Sequence, residues 1–130
     1  MRPALLGIRH VALFCRDLEG SERFWIDVMG YAVEWRPDPD NVYLTAGRDN
    51  LALHRPPAGS SLAVPDRLDH VGLAVPSPED IESWAAHLEG HAVTLVARPK
   101  QHRDGSRSLY FREPSGILVQ IIHHRPISGA

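Results

Sequence analysis

The feature that most constrains this chain is that it contains itself twice. Displaced by 60 residues, Ile8–Arg36 falls on Leu68–Val96, and His10, Val11, Leu13, Glu19, Glu22, Gly30, Ala32 and Val33 meet His70, Val71, Leu73, Glu79, Glu82, Gly90, Ala92 and Val93. Eight identities over 29 positions compare with about two expected by chance at average residue usage. The matches sit where local structure should change, so one supersecondary unit is predicted to occur twice.

Each copy opens with an alternating run, His10-Val-Ala-Leu-Phe and His70-Val-Gly-Leu-Ala, and then changes to helical spacing, which reads as strand followed by helix. In the second copy Ser77 is placed to cap, Pro78 to take the first helical position, and Glu79 and Asp80 to favour the positive helix end. Ile81, Trp84, Ala85 and Leu88 form one apolar face. In the first copy Asp17 takes the cap and Phe24, Trp25 and Val28 the buried face. Gly30 and Gly90 are predicted to end the two helices in the left-handed conformation.

Strand-like pieces follow each glycine: Ala32–Arg36, Asn41–Thr45 and Asn50–His54, then Ala92–Ala97, Ser108–Arg112 and Ile117–His123. Each half is therefore predicted to be βαβββ. Module 1 runs over about 5–55 and module 2 over about 67–125, with the proline-rich 56–66 as linker and Glu113–Gly116 as a turn. Neither half alone can bury both its sheet face and its helix, so the two are expected to share one core as a single domain. Pro126 is expected to end the ordered structure.

With 130 residues, 43% hydrophobic, 23% charged and a formal net charge of −2, the chain has the composition of a globular domain. That charge gives no broad attraction for nucleic acid or an anionic membrane. No apolar run approaches the roughly 20 residues of a bilayer helix, and Met1–Leu6 lacks a signal-peptide core, so a cytoplasmic protein is expected. Cys15 is the sole cysteine, which rules out an intrachain disulfide and a cysteine zinc cage. Eight histidines invite a metal reading that position must decide. His87, His91 and His102 sit on a helix, beside its stop and in a polar loop, and are expected to be exposed rather than functional.

A duplicated βαβββ unit with a histidine on the first strand of each half, closing on Tyr110-Phe-Arg-Glu-Pro-Ser-Gly-Ile-Leu-Val-Gln120, resembles the vicinal oxygen chelate superfamily of glyoxalases, epimerases, extradiol dioxygenases, fosfomycin-modifying thiol transferases and bleomycin-sequestering proteins. The resemblance implies an α+β, glyoxalase-like fold in which two modules form an open curved mixed sheet around a shared cavity, often in a homodimer. It also implies a divalent metal, Fe, Mn, Zn or Ni, bound through the first-strand histidines, here His10 and His70. The family's last-strand glutamate is replaced by Gln120, whose carbonyl oxygen can ligate without charge but cannot act as a strong base. The matching position of the first half is Ala52. His54, two residues on and on the same sheet face, is a candidate to fill that vacancy or to line the cavity mouth.

Ser108 and Tyr110 share a strand face and match a Ser-x-Tyr pair that faces substrate in fosfomycin transferases. Tyr110 is the candidate hydrogen-bond donor to the reacting oxygen. Lys100, Gln101 and Arg103 resemble a basic stretch of that branch, although Ala12 and Gln120 depart from it. The resulting expectation is a metal-dependent lyase, isomerase or ring-cleaving dioxygenase acting on a small oxygen-bearing substrate, with a fosfomycin-type transferase ranked lower. The alternative is a metal-free, bleomycin-resistance-like binding protein that stacks its ligand on Trp35 and pairs it with Arg36 or Arg103.

Overall fold

A computed structural model describes residues 2, 4, 6–60 and 68–128. The chain divides into two compact units, Met1–Ala63 and Val64–Ala130, and the division falls within the proline-rich connection, of which 61–66 lie outside the described residues.

The first unit runs β1 (His10–Phe14), α1 (Leu18–Arg23) continued by a π-helical turn (Phe24–Val28), β2 (Ala32–Asp38), β3 (Asn41–Thr45) and β4 (Asn50–His54). Its strands lie in the order β1-β4-β3-β2. β1 is parallel to β4 and the other pairs are antiparallel. The second unit repeats the plan with β5 (Val71–Ala74), α2 (Glu79–Gly90), β6 (Leu95–Gln101), β7 (Arg107–Arg112) and β8 (Leu118–His123) in the order β5-β8-β7-β6. Each unit is therefore an open, four-stranded mixed sheet of βαβββ connectivity, the predicted α+β class.

One face of each sheet is apolar because strand side chains alternate. Leu13, Val42, Leu44, Leu51 and Leu53 are buried in the first unit together with Trp25, and Leu109, Phe111, Val119 and Ile121 in the second together with Ile81, Ala85 and Leu88 of α2. Fully burying such a side chain contributes about 1.5–3 kcal/mol. A six-residue helix such as α1 is far too short to persist alone, so burial of its apolar side, and not its propensity, holds it. The outer strands β2 and β6 carry Pro37 and Pro99, each within a break of register against its neighbour.

Several local expectations are corrected. The Asp17 side chain does cap α1, accepting the Gly20 N–H at 3.0 Å, but Met29 is buried where Val28 was expected. The Met29 N–H donates to Phe24 O at 3.1 Å, a five-residue step that advances the buried face by one position. Ser77 does not cap α2. Pro78 holds the N-cap, the helix starts at Glu79, and the Ser77 N–H and hydroxyl both donate to Asp80 Oδ2. Trp84 is half-buried. The chain past the last strand does not stop at Pro126 but forms a short helix, α3 (Arg125–Ser128), in which the Ser128 hydroxyl accepts from the His124 N–H.

The helix stops also differ. Gly30 is left-handed as expected (φ +83°), whereas Gly90 stays helical and Ala92 takes the positive φ of +61°. The Ala92 N–H donates to Glu89 O and the Val93 N–H to Leu88 O, a Schellman closure with alanine where glycine is favoured. The left-handed conformation costs an L-residue about 1–2 kcal/mol, and a glycine's extra unfolded-state entropy returns part of that. Ala92→Gly is therefore expected to raise stability by about 0.5–1 kcal/mol, and Gly30→Ala, which meets no steric obstacle, to lower it by about 1 kcal/mol. Urea midpoints at constant m-value measure both, and the opposite sign in either variant would contradict this account of the two stops.

Candidate metal and substrate site

The second unit contains a concavity of about 730 Å³ lined by His70, Lys100, Gln101, His102, Arg103, Asp104, Ser106, Tyr110, Gln120 and Ile122. Pairing of β5 with β8 sets Gly72 opposite Gln120, and pairing of β7 with β8 sets Tyr110 on its other side. His70 immediately precedes β5, two residues from Gly72, so it lies on the same face. Its ring meets Tyr110 edge to face at 5.4 Å between centroids.

Two features suit His70 and Gln120 to a cation. The His70 Nδ1 is engaged by Asp69 Oδ2 at 2.5 Å, which leaves Nε2 to face a ligand, the arrangement in which a carboxylate orients a metal-binding imidazole. Gln120 is 7% exposed, yet its carboxamide forms no side-chain hydrogen bond among the described residues. The side chain lines the concavity, so its carboxamide is open to a ligand there. Gly72 leaves that amide uncrowded, since even an added methyl would stand 3.6 Å from Gln120 Oε1.

The basic stretch contributes directly to the wall. Lys100 and Gln101 end β6 and Arg103 lies in the following turn. Among the described residues neither Lys100 nor Arg103 has a carboxylate within ion-pair distance. Asp104, the one acid lining the concavity, is committed to the turn: it accepts the Ser106 hydroxyl at 2.7 Å and the Ser106 N–H at 2.9 Å. Those bonds hold its carboxyl below the usual carboxylate range.

Ser108 does not line the concavity. It is 1% exposed, and its hydroxyl meets His102 Nε2 at 2.7 Å, so His102 takes the position at the wall. His102, expected to be exposed in a polar loop, is instead half-buried and lines the concavity. The pairing of Lys100 with Ser108 turns the loop beyond β6 back over β7, and nothing local in the sequence signals it.

In the first unit His10 pairs with Asn50 and His54 with Phe14 on the β1–β4 ladder. Four residues separate the two along that face, about 13 Å at the usual strand rise. Each imidazole is held by an asparagine that is itself held by a carboxylate. His10 Nδ1 lies 2.6 Å from Asn50 Oδ1, and Asn50 Nδ2 donates to Glu34. His54 Nδ1 lies 2.6 Å from Asn41 Oδ1, and Asn41 Nδ2 donates to Asp38. Because each amide nitrogen is already donating, it is the amide oxygen that faces the ring, and the imidazole Nδ1 donates to it. Ala52, fully buried, lies between Ala12 and Tyr43. Trp35 is 59% exposed and stacks on Tyr43 at 5.2 Å. Arg36 is committed to a two-armed ion pair with Glu22. Among the described residues no three His, Cys, Asp or Glu side chains converge as a metal cage, and no helix is long and apolar enough to cross a membrane.

Known proteins bear on this geometry. The chain is 27% identical over 124 residues to the glutathione transferase FosA of Serratia marcescens, covering 90% of this chain and 80% of that protein. It is 26% identical over 117 residues to the manganese-dependent 2,3-dihydroxybiphenyl 1,2-dioxygenase of Geobacillus genomosp. 3, but spans only 35% of that protein's length. Among solved structures, the lactoylglutathione lyase of Agrobacterium tumefaciens superposes with a TM-score of 0.77 at 21% identity, over 96% of this chain and 98% of that one, a likeness of fold. The family model for the Glyoxalase/Bleomycin resistance protein/Dioxygenase superfamily matches residues 7–121, nearly the whole chain, and the protein belongs to that superfamily.

Proposed function

We propose that the protein is a metal-dependent enzyme acting on a small oxygen-bearing substrate that carries an anionic group. The observation that carries this reading is the Gln120 carboxamide, which lines the concavity with no side-chain hydrogen bond among the described residues, beside an imidazole whose Nδ1 is already engaged. An imidazole nitrogen with an amide oxygen suits a divalent ion of the Mn, Fe, Ni or Zn type. His70 and Gln120 would hold that ion, and it would supply Lewis-acid polarisation of a substrate oxygen. His10, the repeat-equivalent imidazole, offers the same free nitrogen.

The remaining residues divide the other work. Lys100 and Arg103 supply positive charge at the wall for a carboxylate, phosphate or phosphonate, with Arg able to take it through two N–H groups. The Tyr110 hydroxyl is a donor for the reacting oxygen. Gln120 cannot take a proton, which disfavours chemistry that needs a carboxylate base at that position. Cationic lining favours a compact, charged substrate over an extended apolar one, so lyase, isomerase or group-transfer chemistry is preferred here to ring cleavage. A metal-free binding protein is the second reading, and the exposed Trp35 stacked on Tyr43 favours it.

Titration of chelator-treated protein with Mn(II), Fe(II), Ni(II) and Zn(II), followed by elemental analysis, tests the proposal. One equivalent is expected to bind, with at least tenfold weaker affinity in His70→Ala. Gln120→Glu adds a charged ligand and is expected to tighten binding by about 1–3 kcal/mol. His10→Ala reports whether the first repeat's imidazole contributes to the same ion. Affinity indifferent to both His70→Ala and Gln120→Glu would leave the metal-free reading in its place.

A further inference from the structure

The polar pair His102 and Ser108 takes no part in the chemistry assigned to the concavity so far. Ser108 lies on β7 opposite Lys100 of β6 and is 1% exposed. His102, in the turn between those strands, is half-buried and lines the wall together with Lys100 and Arg103. The two side chains meet between Nε2 and the hydroxyl at 2.7 Å.

Burial decides which of the two donates. A hydroxyl carries one proton, and in a place closed to water that proton needs an acceptor. Among the described residues Ser108 Oγ has no partner but His102 Nε2. Were Nε2 the donor, the hydroxyl proton would be left buried with nothing to accept it. Ser108 therefore donates to Nε2, and in the neutral ring the proton stands on Nδ1. That nitrogen has no partner among the described residues, and it is not closed off, since Trp25 Nε1 is the only buried side-chain nitrogen or oxygen among them that lacks one. An N–H group is thus left open on a ring that lines the concavity.

The backbone holds the ring in place. The His102 N–H donates to Ser106 O at 2.7 Å and the Gly105 N–H to His102 O at 3.0 Å, and Asp104 is bonded to Ser106 inside the same turn. Arg103 belongs to that turn, so the backbones carrying the imidazole and the guanidinium are fixed relative to each other before any ligand arrives.

We propose that His102 donates its Nδ1–H to the same anionic group that Lys100 and Arg103 attract, and that the buried Ser108 is a positioning residue that selects this tautomer. The role rests on the anionic-substrate reading above and adds to it a directional donor, which favours an anion whose oxygen falls in line with the N–H. A second proton on the ring would not remove that donor, because both nitrogens carry protons in the imidazolium.

Heteronuclear NMR of isotope-labelled histidines in the intact, chelator-treated chain, titrated with inorganic phosphate, tests both residues. The His102 signals, identified by their loss in His102→Ala, are expected to show a protonated Nδ1 and a bare Nε2 at alkaline pH, with Nδ1 moving as phosphate is added. Phosphate affinity should fall about tenfold in His102→Ala, the worth of one hydrogen bond to a charged group. His102→Asn, whose amide nitrogen stands where Nδ1 stood, should keep most of the affinity, whereas His102→Gln, which mimics Nε2, should lose it. Ser108→Ala should abolish the tautomer preference and weaken phosphate binding by a smaller factor. A proton on Nε2 in the unsubstituted neutral ring, or affinity unchanged in His102→Ala but lowered in Arg103→Ala, overturns the role given to His102 and leaves the anionic-substrate reading standing. Phosphate binding that is absent, or indifferent to Lys100→Ala and Arg103→Ala alike, overturns both.

Discussion

In each repeat the first strand pairs with the last, in parallel, the paired residues lying 40 positions apart in the first unit and 48 in the second. Parallel neighbours cannot be joined by a tight turn, so the helix and two further strands must fit into the return path, and the βαβββ order follows. The same pairing creates the candidate site. It sets the backbone beside His70 against Gln120, and in the first unit it sets His10 against Asn50. A register slip of one residue would turn those polar side chains into the apolar layer beneath the helix and bring leucine, valine and isoleucine to the open face. Leu13, Leu51, Leu53, Val119 and Ile121 thus fix the register through burial, and the polar face inherits its geometry from them.

The two open faces have diverged on one plan. Ala52 and Gln120 occupy matching rungs, each beside a tyrosine, Tyr43 and Tyr110. In the first unit the next position outward is Trp35, which stacks on Tyr43, and the ring contacts continue through His54 to Phe14. In the second unit the corresponding strand offers Ala97 and then Lys100 and Gln101, which leaves the tyrosine open to a charged concavity. Duplication therefore supplied one scaffold with an aromatic face and a cationic face, and the imidazole at the head of each first strand is the element both retain.

Much of this architecture was legible because it depends on period and on punctuation. The alternation of His10–Phe14 and the caps and turns around it are local signals, and β1, β3 and β4 fall within the bounds read from sequence. Discrepancies arose where tertiary demands overrode local ones. The π-helical turn after Arg23 has no residue signature, since it exists to seat Trp25 and Met29 together. Ala92 takes the left-handed position although Gly90 is two residues away, because α2 runs on to His91 before it closes. His102 was unreadable for a similar reason. Its role depends on a turn, held by Asp104 and Ser106, that folds a hydrophilic segment back over a strand, and hydrophilicity alone does not distinguish that from a solvated loop. The histidine and glutamine positions followed from the repeat and the family resemblance, whereas the asparagines beside His10 and His54 did not, because those pairings join residues 40 and 13 positions apart in sequence.

The prolines of the outer strands bear on how the protein behaves in a crowded solution. β2 and β6 each end their sheet, and an unpaired strand margin is a template on which another polypeptide can extend the ladder. Pro37 and Pro99 remove an amide donor at comparable points of the two margins, and the adjoining breaks in register bend the strand away from a regular repeat of donors and acceptors. Both copies of the duplicated unit thus carry a built-in stop to fibrous growth, a safeguard a twofold-repeated sheet protein especially needs, since each copy is a ready partner for its own likeness.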